Sequence, residues 1–420
     1  MDVASVFNER KNDSKWNTSY PLRPQDWERY RVKGKLSFEG EKCISLYVHI
    51  PFCKQICSFC EYSKMVCTDG YHQRRYLSAL RKDVIDFKLL YNNSFELKGF
   101  DIGGGTPTSL SESNFNYLMD IYDEAIGGVI LSGDFEPSIE ATFNTLSEQK
   151  IKRIVQSNVF RLSLGIQTMD RNILKKYHRK DETLSTMIKA FESAWKYGIQ
   201  KINVDLMYGL NWQNRNTIEN DLSLIKILRP QQVTLYELRT NMIDHKIVES
   251  KEHLYSQYIQ YYEGLKALGY YGKIGQNSFS IYSNDYGVSS YLRSRMLEAI
   301  PYKGFGLSAQ SMSRIGLSYN WGKNIDLSKK YLDAESYCEE YTYHLPKNEL
   351  CAKYMAIAAY CGKFSISKMS DLLGMDANDY YAEQLSFCES ENLFKRIGDD
   401  MFITSEGFKY YGAAFSLFYP

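Results

Sequence analysis

Between residues 44 and 268, six short apolar segments alternate with longer amphipathic ones. Period and composition predict strands at 44–50, 97–102, 138–141, 161–166, 201–206 and 232–236. They predict helices at 71–90, 111–125, 171–177, 184–197, 214–227 and 249–268. Strand–helix alternation implies parallel strands, because parallel neighbours need a long crossover connection. The sequence therefore predicts an α/β fold whose core is a partial, open (β/α)6 barrel.

Three cysteines follow the first predicted strand with the spacing C-x3-C-x2-C: Cys53, Cys57 and Cys60. In barrels of this kind the reactive groups lie at the carboxyl ends of the strands, so the loop falls on the functional face. Cubane iron–sulfur clusters are held by thiolates, usually four, and a set of three leaves one iron open to a substrate or cofactor. A zinc knuckle or scattered core cysteines are the alternatives, although zinc sites usually combine C-x2-C pairs with a fourth ligand. The spacing favours an iron–sulfur cluster.

Glycine-rich or polar residues also follow the later strands. The stretch 103–108 reads Gly-Gly-Gly-Thr-Pro-Thr, and consecutive glycines let a ligand approach the backbone closely, although such triplets are often only turns. Glu140 and Asp205 end the third and fifth strands, where a carboxylate can bind an amine or ribose hydroxyls, and Gln167 follows the fourth. The planar guanidinium of Arg179 suits a carboxylate. Surface charges, ion pairs or caps are the alternative for the three charged residues.

Four motifs in the same order resemble the radical S-adenosylmethionine (SAM) superfamily and, within it, oxygen-independent coproporphyrinogen III oxidases and their relatives. They are Tyr-Val-His-Ile-Pro-Phe-Cys at 47–53, the glycine stretch at 103–108, Arg-Leu-Ser-Leu-Gly-Ile-Gln-Thr at 161–168 and Asp-Leu-Met-Tyr-Gly-Leu at 205–210. Thr18-Ser19-Tyr20-Pro21 is similar to the N-terminal arm of the oxidases. The resemblance implies a radical SAM barrel in which an iron–sulfur cluster reductively cleaves SAM to a 5'-deoxyadenosyl radical.

The resemblance also implies roles for individual residues. Cys53, Cys57 and Cys60 would be the catalytic ligands of a [4Fe–4S] cluster, and Tyr47 would support the cluster and SAM. The SAM-binding residues that it implies are Gly104, Gly105, Thr106, Glu140, Gln167, Arg179 and Asp205. Relatives of this type can bind two SAM molecules, so two are expected here. The implied partners are a small-molecule substrate and an external electron donor of the flavodoxin or ferredoxin type.

The chain departs from two branches of this family. The oxidases have a further cysteine two residues after the third cluster ligand, where this chain has Tyr62, and Cys67 is displaced from that position. Heme chaperones carry a His-Asn-x-x-Tyr-Trp motif where this chain reads Ser-Tyr-Leu-Arg-Ser-Arg at 290–295. We therefore expect a second SAM to transfer a methyl or methylene group to an sp2 carbon of a metabolite, as in the class C methyltransferase and cyclopropanase branch. Tetrapyrrole modification of the coproporphyrinogen oxidase type and a non-catalytic heme chaperone are the alternatives.

The last quarter of the chain changes to a helical pattern with a β-wing. Helices are predicted at 366–373 and 379–391, and strands at 393–397 and 401–404. The predicted domains are an N-terminal arm at 1–40, the barrel with its closing segment at 41–325, and a helical, winged-helix-like cover domain at 326–420.

Charge and cysteine content limit the class of function. The net charge is only +1, and the second helix of the predicted wing is acidic, whereas binding of nucleic-acid phosphates needs Lys and Arg. The sequence has no apolar run of transmembrane length. Nine cysteines without a paired framework suit a reducing compartment, so a cytoplasmic location is expected.

Overall fold

The computed structural model describes residues 2–13, 20–22, 24–91, 94–239, 250–321, 334–337 and 339–420. Thr18 and Ser19 of the arm motif lie outside the described residues, as does Glu249, the first residue of the last helix predicted for the barrel.

Six parallel strands form the centre of the main sheet, and each pairs with the next along the chain. They are β1 Cys43–Ile50, β2 Glu96–Gly104, β3 Ser138–Ala141, β4 Arg161–Gln167, β5 Lys201–Tyr208 and β6 Gln232–Glu237. All six predicted strands are confirmed, with ends that differ by no more than two residues. Because the strands run in one direction, the motifs that follow them meet at one edge of the sheet.

Seven helices cross between these strands or follow the last one. They are α1 Gly70–Tyr91, α2 Glu112–Ile126, α3 Glu148–Gln156, α4 Arg171–Lys176, α5 Leu184–Tyr197, α6 Arg215–Leu228 and α7 Lys251–Ala267. Helix α3 was not predicted from the sequence. It has nine residues, of which only Lys150, Ile151 and Ile154 are buried. Its apolar stripe is therefore too short to be recognised as a helical pattern in the sequence.

The barrel is open, because β1 and β6 each pair with a strand from outside the six. Ser278–Ser280 pairs antiparallel with β6, and Tyr302–Phe305 pairs in parallel with β1. Beyond Tyr302–Phe305 the sheet continues antiparallel through Gln310–Ser313, Gly316–Asn320, Glu339–His344 and Arg31–Val32. Parts of the predicted arm and of the predicted cover segment thus belong to this sheet. The exact domain boundaries stay predictions.

The C-terminal part packs on the barrel and contains a small wing. Lys363–Ser365, Asp400–Ile403 and Phe394–Ile397 form a three-stranded antiparallel sheet. The predicted helix at 366–373 is confirmed, and the one at 379–391 is divided at Tyr381. The helices here are Lys347–Ala358, Ile366–Leu373, Ala377–Tyr380, Ala382–Ser390, Ser405–Lys409 and Tyr411–Ser416. Barrel strands and these helices share one hydrophobic core, so the C-terminal part is held firmly against the barrel.

Two further helices complete the description. Val3–Arg10 begins the described chain, and Ser290–Met296 precedes the strand Tyr302–Phe305. Among the helices that the structure describes, none is long and apolar enough to cross a lipid bilayer.

Candidate active site

A cavity of about 580 Å³ opens at the carboxyl ends of the barrel strands, and we call it the outer cavity. Ten of the eleven site residues predicted from the sequence line it: Cys53, Cys57, Cys60, Gly104, Gly105, Thr106, Glu140, Gln167, Arg179 and Asp205. Tyr47 lies behind the lining, where its ring stacks on Tyr291 at 5.7 Å and its hydroxyl lies 3.4 Å from His49 Nδ1. Residues that are far apart in the sequence therefore converge on one chamber.

The cysteine loop is closed at its base by two short strands. Phe52–Cys53 pairs with Met65–Val66, so the chain leaves and re-enters the barrel edge at one place. The glycine turn joins this base, because Thr106 N–H donates to Phe52 O at 2.8 Å and Thr106 Oγ1 lies 3.8 Å from Cys53 Sγ. The Cys60 N–H donates to Cys57 O at 3.2 Å and tightens the loop.

The three thiols fit a cluster better than a single metal ion. Burial raises the pKa of Cys53 to about 11 and also raises the pKa of Cys60, and bound iron would offset this by binding the thiolates. Within the described ranges, no three or more His, Cys, Asp or Glu side chains converge closely enough to hold one metal ion. In a cubane each thiolate binds a different iron, so the thiols need not meet at a point.

Glycine is required at two positions of the turn after β2. Gly104 has φ +110°, and a Cβ there would lie 2.4 Å from the His49 ring. A Cβ on Gly103 would lie 2.6 Å from the carboxyl carbon of Glu140. Any larger residue would displace Glu140 or His49, so these glycines fix the wall of the outer cavity.

Two carboxylates face the outer cavity from β3 and β5. Glu140 accepts a hydrogen bond from Gly104 N–H at 3.0 Å; it is open to the cavity but enclosed by protein elsewhere, and this burial raises its pKa to about 7. Asp205 accepts from Asn203 Nδ2 at 2.8 Å and from Ser163 Oγ at 3.2 Å, and burial raises its pKa. Both carboxylates are placed to bind ammonium or hydroxyl groups of a ligand.

Arg179 lies directly beside the cysteine loop. Its Nη1 is 3.6 Å from Cys57 Sγ, and its Nη2 donates to Gly165 O. A bulge in β4 gives Gln167 φ +69°, and the buried Oε1 of Gln167 has no hydrogen-bond partner among the described residues. An unpartnered amide beside a guanidinium in a cavity indicates a site that awaits a polar ligand.

A second cavity of about 470 Å³ adjoins the first, and we call it the inner cavity. The two share a wall that includes Tyr62, Glu140, Ser163, Asp205, Tyr236, Arg239 and Tyr360. Five of these residues were not predicted from the sequence as site residues: Tyr62, Ser163, Tyr236, Arg239 and Tyr360. Tyr236 and Arg239 could have been found by the criterion that identified Glu140, since each is a polar residue at or just after the end of a predicted strand. Tyr360 comes from the C-terminal part, and nothing in the local sequence marks it.

Comparison with known proteins identifies the region that carries this site. Residues 47–225 match the family model of the radical SAM superfamily. The chain contains a radical SAM domain. The cofactors of such a domain are a [4Fe–4S] cluster and SAM, and the three thiols and the polar lining of the outer cavity suit them.

The chain is similar to two kinds of curated protein. Heme chaperone HemW of Bacillus subtilis (strain 168) is 33% identical over 194 residues, which are 46% of this chain and 50% of that protein. Oxygen-independent coproporphyrinogen III oxidase of Helicobacter pylori (strain J99 / ATCC 700824) is 29% identical over 226 residues, 52% of this chain and 49% of that protein. The chain spans about half the length of the curated relatives it matches.

The chain is also similar to a solved structure over nearly its whole length. The coproporphyrinogen III oxidase HemN from Escherichia coli superposes with a TM-score of 0.73 at 21% identity, over 90% of each chain. The likeness therefore includes the C-terminal part as well as the barrel, and the HemN-like fold predicted from the sequence motifs is confirmed.

Proposed function

We propose that this protein is a radical SAM enzyme that modifies a carboxylate-bearing tetrapyrrole, in a reaction of the coproporphyrinogen III oxidase type. The observation that carries the proposal is the inner cavity, which adjoins the predicted SAM site and is lined by cationic side chains. The names of the relatives support this alternative better than the methyl or methylene transfer that the sequence led us to expect.

The cations of the inner cavity come from separate parts of the fold. Arg161 begins β4, Arg295 lies in the helix Ser290–Met296, and Lys353 lies in the helix Lys347–Ala358. Four acids line this cavity as well: Glu61, Asp101, Glu140 and Asp205. Glu61 is paired with Arg239 at 2.8 Å, and burial raises the pKa of Asp101 to about 7, so near neutral pH Asp101 is partly uncharged, whereas arginine stays charged. Glu140 and Asp205 belong to the proposed SAM site, so Arg161, Arg295 and Lys353 remain to bind the carboxylates of a substrate.

Arg295 is the cation most in need of an anionic partner. Its Nε is buried and has no hydrogen-bond partner in the described part of the chain. Its guanidinium lies over the ring of Tyr302 at 4.4 Å and contacts the uncharged Gln310 Oε1 at 3.4 Å. A buried guanidinium surrounded by neutral groups is costly unless an anion neutralises it. A substrate carboxylate in the inner cavity would do so.

The residues around the outer cavity would bind and orient the cofactors. Cys53, Cys57 and Cys60 would hold the cluster, which supplies the electron that cleaves SAM. Arg179 would bind the SAM carboxylate and an ionised Glu140 its amino group, because both side chains line the outer cavity and their charges are opposite. Asp205 would then accept from the ribose hydroxyls. Together these contacts would direct the adenosyl group towards the wall shared with the inner cavity.

The number of SAM molecules stays a prediction. Calorimetric titration of cluster-loaded protein gives the stoichiometry directly, and a value of one would contradict the expectation of two.

Product analysis tests the proposed function. Reduced, cluster-loaded protein incubated anaerobically with SAM and coproporphyrinogen III is expected to form 5'-deoxyadenosine, methionine and carbon dioxide, with a decarboxylated porphyrinogen. The tetramethyl ester of the same substrate is the matched control, and it is expected to react poorly because it offers no carboxylates to the inner cavity.

Two other outcomes would contradict this proposal. Formation of S-adenosylhomocysteine together with 5'-deoxyadenosine would support methyl or methylene transfer. Tight stoichiometric heme binding, without SAM cleavage in the presence of any substrate tested, would support a heme chaperone like the HemW relatives.

Exchange of Arg295 tests the role of the inner cavity. Arg295→Gln is expected to raise KM for coproporphyrinogen III about tenfold, the scale of one hydrogen bond to a charged group. Arg295→Lys keeps the positive charge but loses the planar set of guanidinium N–H donors, so we expect a smaller increase in KM. SAM affinity and the cluster spectrum should be unchanged in both variants. An unchanged KM in Arg295→Gln would remove Arg295 from the substrate site.

A further inference from the structure

A strongly basic segment lies next to the cysteine loop. Residues 171–180 read Arg-Asn-Ile-Leu-Lys-Lys-Tyr-His-Arg-Lys and contain no acidic residue, whereas the whole chain has a net charge of only +1. The segment comprises α4 and the turn after it. Asp181, the first acid that follows, lies 3.1 Å from Arg171. The segment thus carries five Lys or Arg side chains, with Asp170 directly before it and Asp181 and Glu182 directly after it.

This segment and the cysteine loop form one packed unit. Ser58 N–H donates to Tyr177 O at 3.0 Å, and the rings of Phe59 and Tyr177 lie 5.8 Å apart. Tyr177 is buried, so α4 is fixed in position against the loop. The half-buried Cys57 lies immediately before Ser58, which is exposed. The thiol that would bind the cluster is therefore close to the molecular surface on the basic side.

Apolar side chains stand among the lysines on this side. Ile56 is 42% exposed and Trp212 is 52% exposed, and Lys176 Nζ lies 3.3 Å from the Trp212 ring centroid. Lys54 and Lys175 are also exposed. Exposed aromatic and apolar groups with a polar, charged rim are typical of protein interfaces. We define the basic surface as Ile56, Lys175, Lys176 and Trp212.

We propose that the basic surface binds an acidic flavodoxin-type electron donor that reduces the cluster. The proposal rests on the radical SAM assignment. One electron leaves the reduced flavin of the donor and enters the cluster, and no bond forms or breaks in that step. Opposite charge steers the donor to the surface, and the exposed Ile56 and Trp212 supply apolar contact once it arrives. The electron then enters through the loop that carries Cys57.

Charge reversal at the basic surface tests the proposal. In Lys175→Glu/Lys176→Glu, the second-order rate of cluster reduction by an acidic flavodoxin hydroquinone is expected to fall at least about tenfold at low salt, the range of electrostatic steering. The affinity of the complex, measured by calorimetry on cluster-loaded protein, should fall with it. Both differences should shrink as salt rises, because screening acts within about 10 Å at 0.1 M.

Lys196→Glu/Lys226→Glu is the matched control. Lys196 and Lys226 lie in the last turns of α5 and α6, and Lys175 and Lys176 lie in the last turn of α4. The change in net charge is therefore the same, and every exchange is made at a helix end. Crossover helices run opposite to the strands, so α5 and α6 end at the far side of the barrel. We expect donor affinity and reduction rate within about twofold of the parent, because steering acts locally at the docking surface.

Two results would overturn the docking proposal. One is equal donor affinity and reduction rate in the two double variants, and the other is a difference between them that does not depend on salt. Dithionite should reduce the cluster completely in all variants, which shows that the cluster itself is intact. A protein that is reduced by dithionite but never cleaves SAM would contradict the proposed function while leaving the donor-binding result to stand by itself.

Discussion

Replacing Cys57 by alanine is expected to abolish the cluster and, with it, all SAM cleavage. In the proposed site each of the three thiols on the cysteine loop supplies one iron ligand, and the two thiols that remain cannot hold a cubane with an open iron. The anaerobically reconstituted parent should contain about four irons per chain in this cluster. Iron and sulfide analysis, with the visible spectrum of the cluster, measures the loss in Cys57→Ala. We expect the same loss in Cys53→Ala and Cys60→Ala.

Cys43→Ala provides the matched control for these variants. Cys43 is a half-buried free thiol at the first residue of β1, at the end of the strand opposite the cysteine loop. The control should keep a full cluster and normal SAM cleavage. Cys67→Ala, which removes the thiol whose role the sequence leaves open, should behave in the same way. Retention of a normal cubane by Cys57→Ala would contradict the assignment of the loop.

The positions of Glu140 and Asp205 show why much of the site was predictable. Each lies in the carboxyl-terminal half of its strand, and parallel strands bring these halves together whatever the details of side-chain packing. The order of strands and helices along the chain was enough to place these residues on one face. The strand–helix alternation is a local signal, so the barrel could be predicted from it as well.

The contribution of the C-terminal part could not be predicted in this way. Tyr360, Phe408 and Tyr411 line the outer cavity from segments that pack on the barrel only through long-range contacts. Local periodicity carries no information about which side chain of a distant segment reaches a cavity. Gln167 is a different case, since its orientation depends on a bulge in β4 that the apolar pattern does not show.

The N-terminal arm also reaches the site through tertiary contacts. Glu349 accepts hydrogen bonds from Tyr20 Oη at 2.5 Å and from Trp27 Nε1 at 2.8 Å, and Lys353 Nζ donates to Tyr20 O at 2.8 Å. Tyr20 and Pro21 line the inner cavity as a result. The sequence motif indicated an arm of the oxidase type, but only the structure shows that it contributes to the wall of the proposed substrate site.

Arg179→Ala is expected to weaken SAM binding by about 1.5–3 kcal/mol, the worth of a hydrogen bond to a charged group, or roughly 10- to 150-fold in affinity. In the proposed complex the guanidinium binds the SAM carboxylate, while its Nη2 stays anchored to Gly165 O. The alanine variant loses both the positive charge and the paired N–H donors of the guanidinium. Calorimetry on cluster-loaded protein measures the affinity, and the iron content should equal that of the parent because Arg179 is not an iron ligand.

Arg179→Lys separates the charge from the geometry of the guanidinium. Lysine keeps the positive charge but cannot donate two parallel hydrogen bonds to a carboxylate while also reaching Gly165 O. We therefore expect an affinity between those of the parent and of Arg179→Ala. If both variants bind SAM as the parent does, Arg179 does not contact SAM, and its position 3.6 Å from Cys57 Sγ has only a structural role in the cysteine loop. If instead both variants bind SAM more weakly and have also lost the cluster, the guanidinium holds that loop in place. The weaker SAM binding would then follow from the missing open iron.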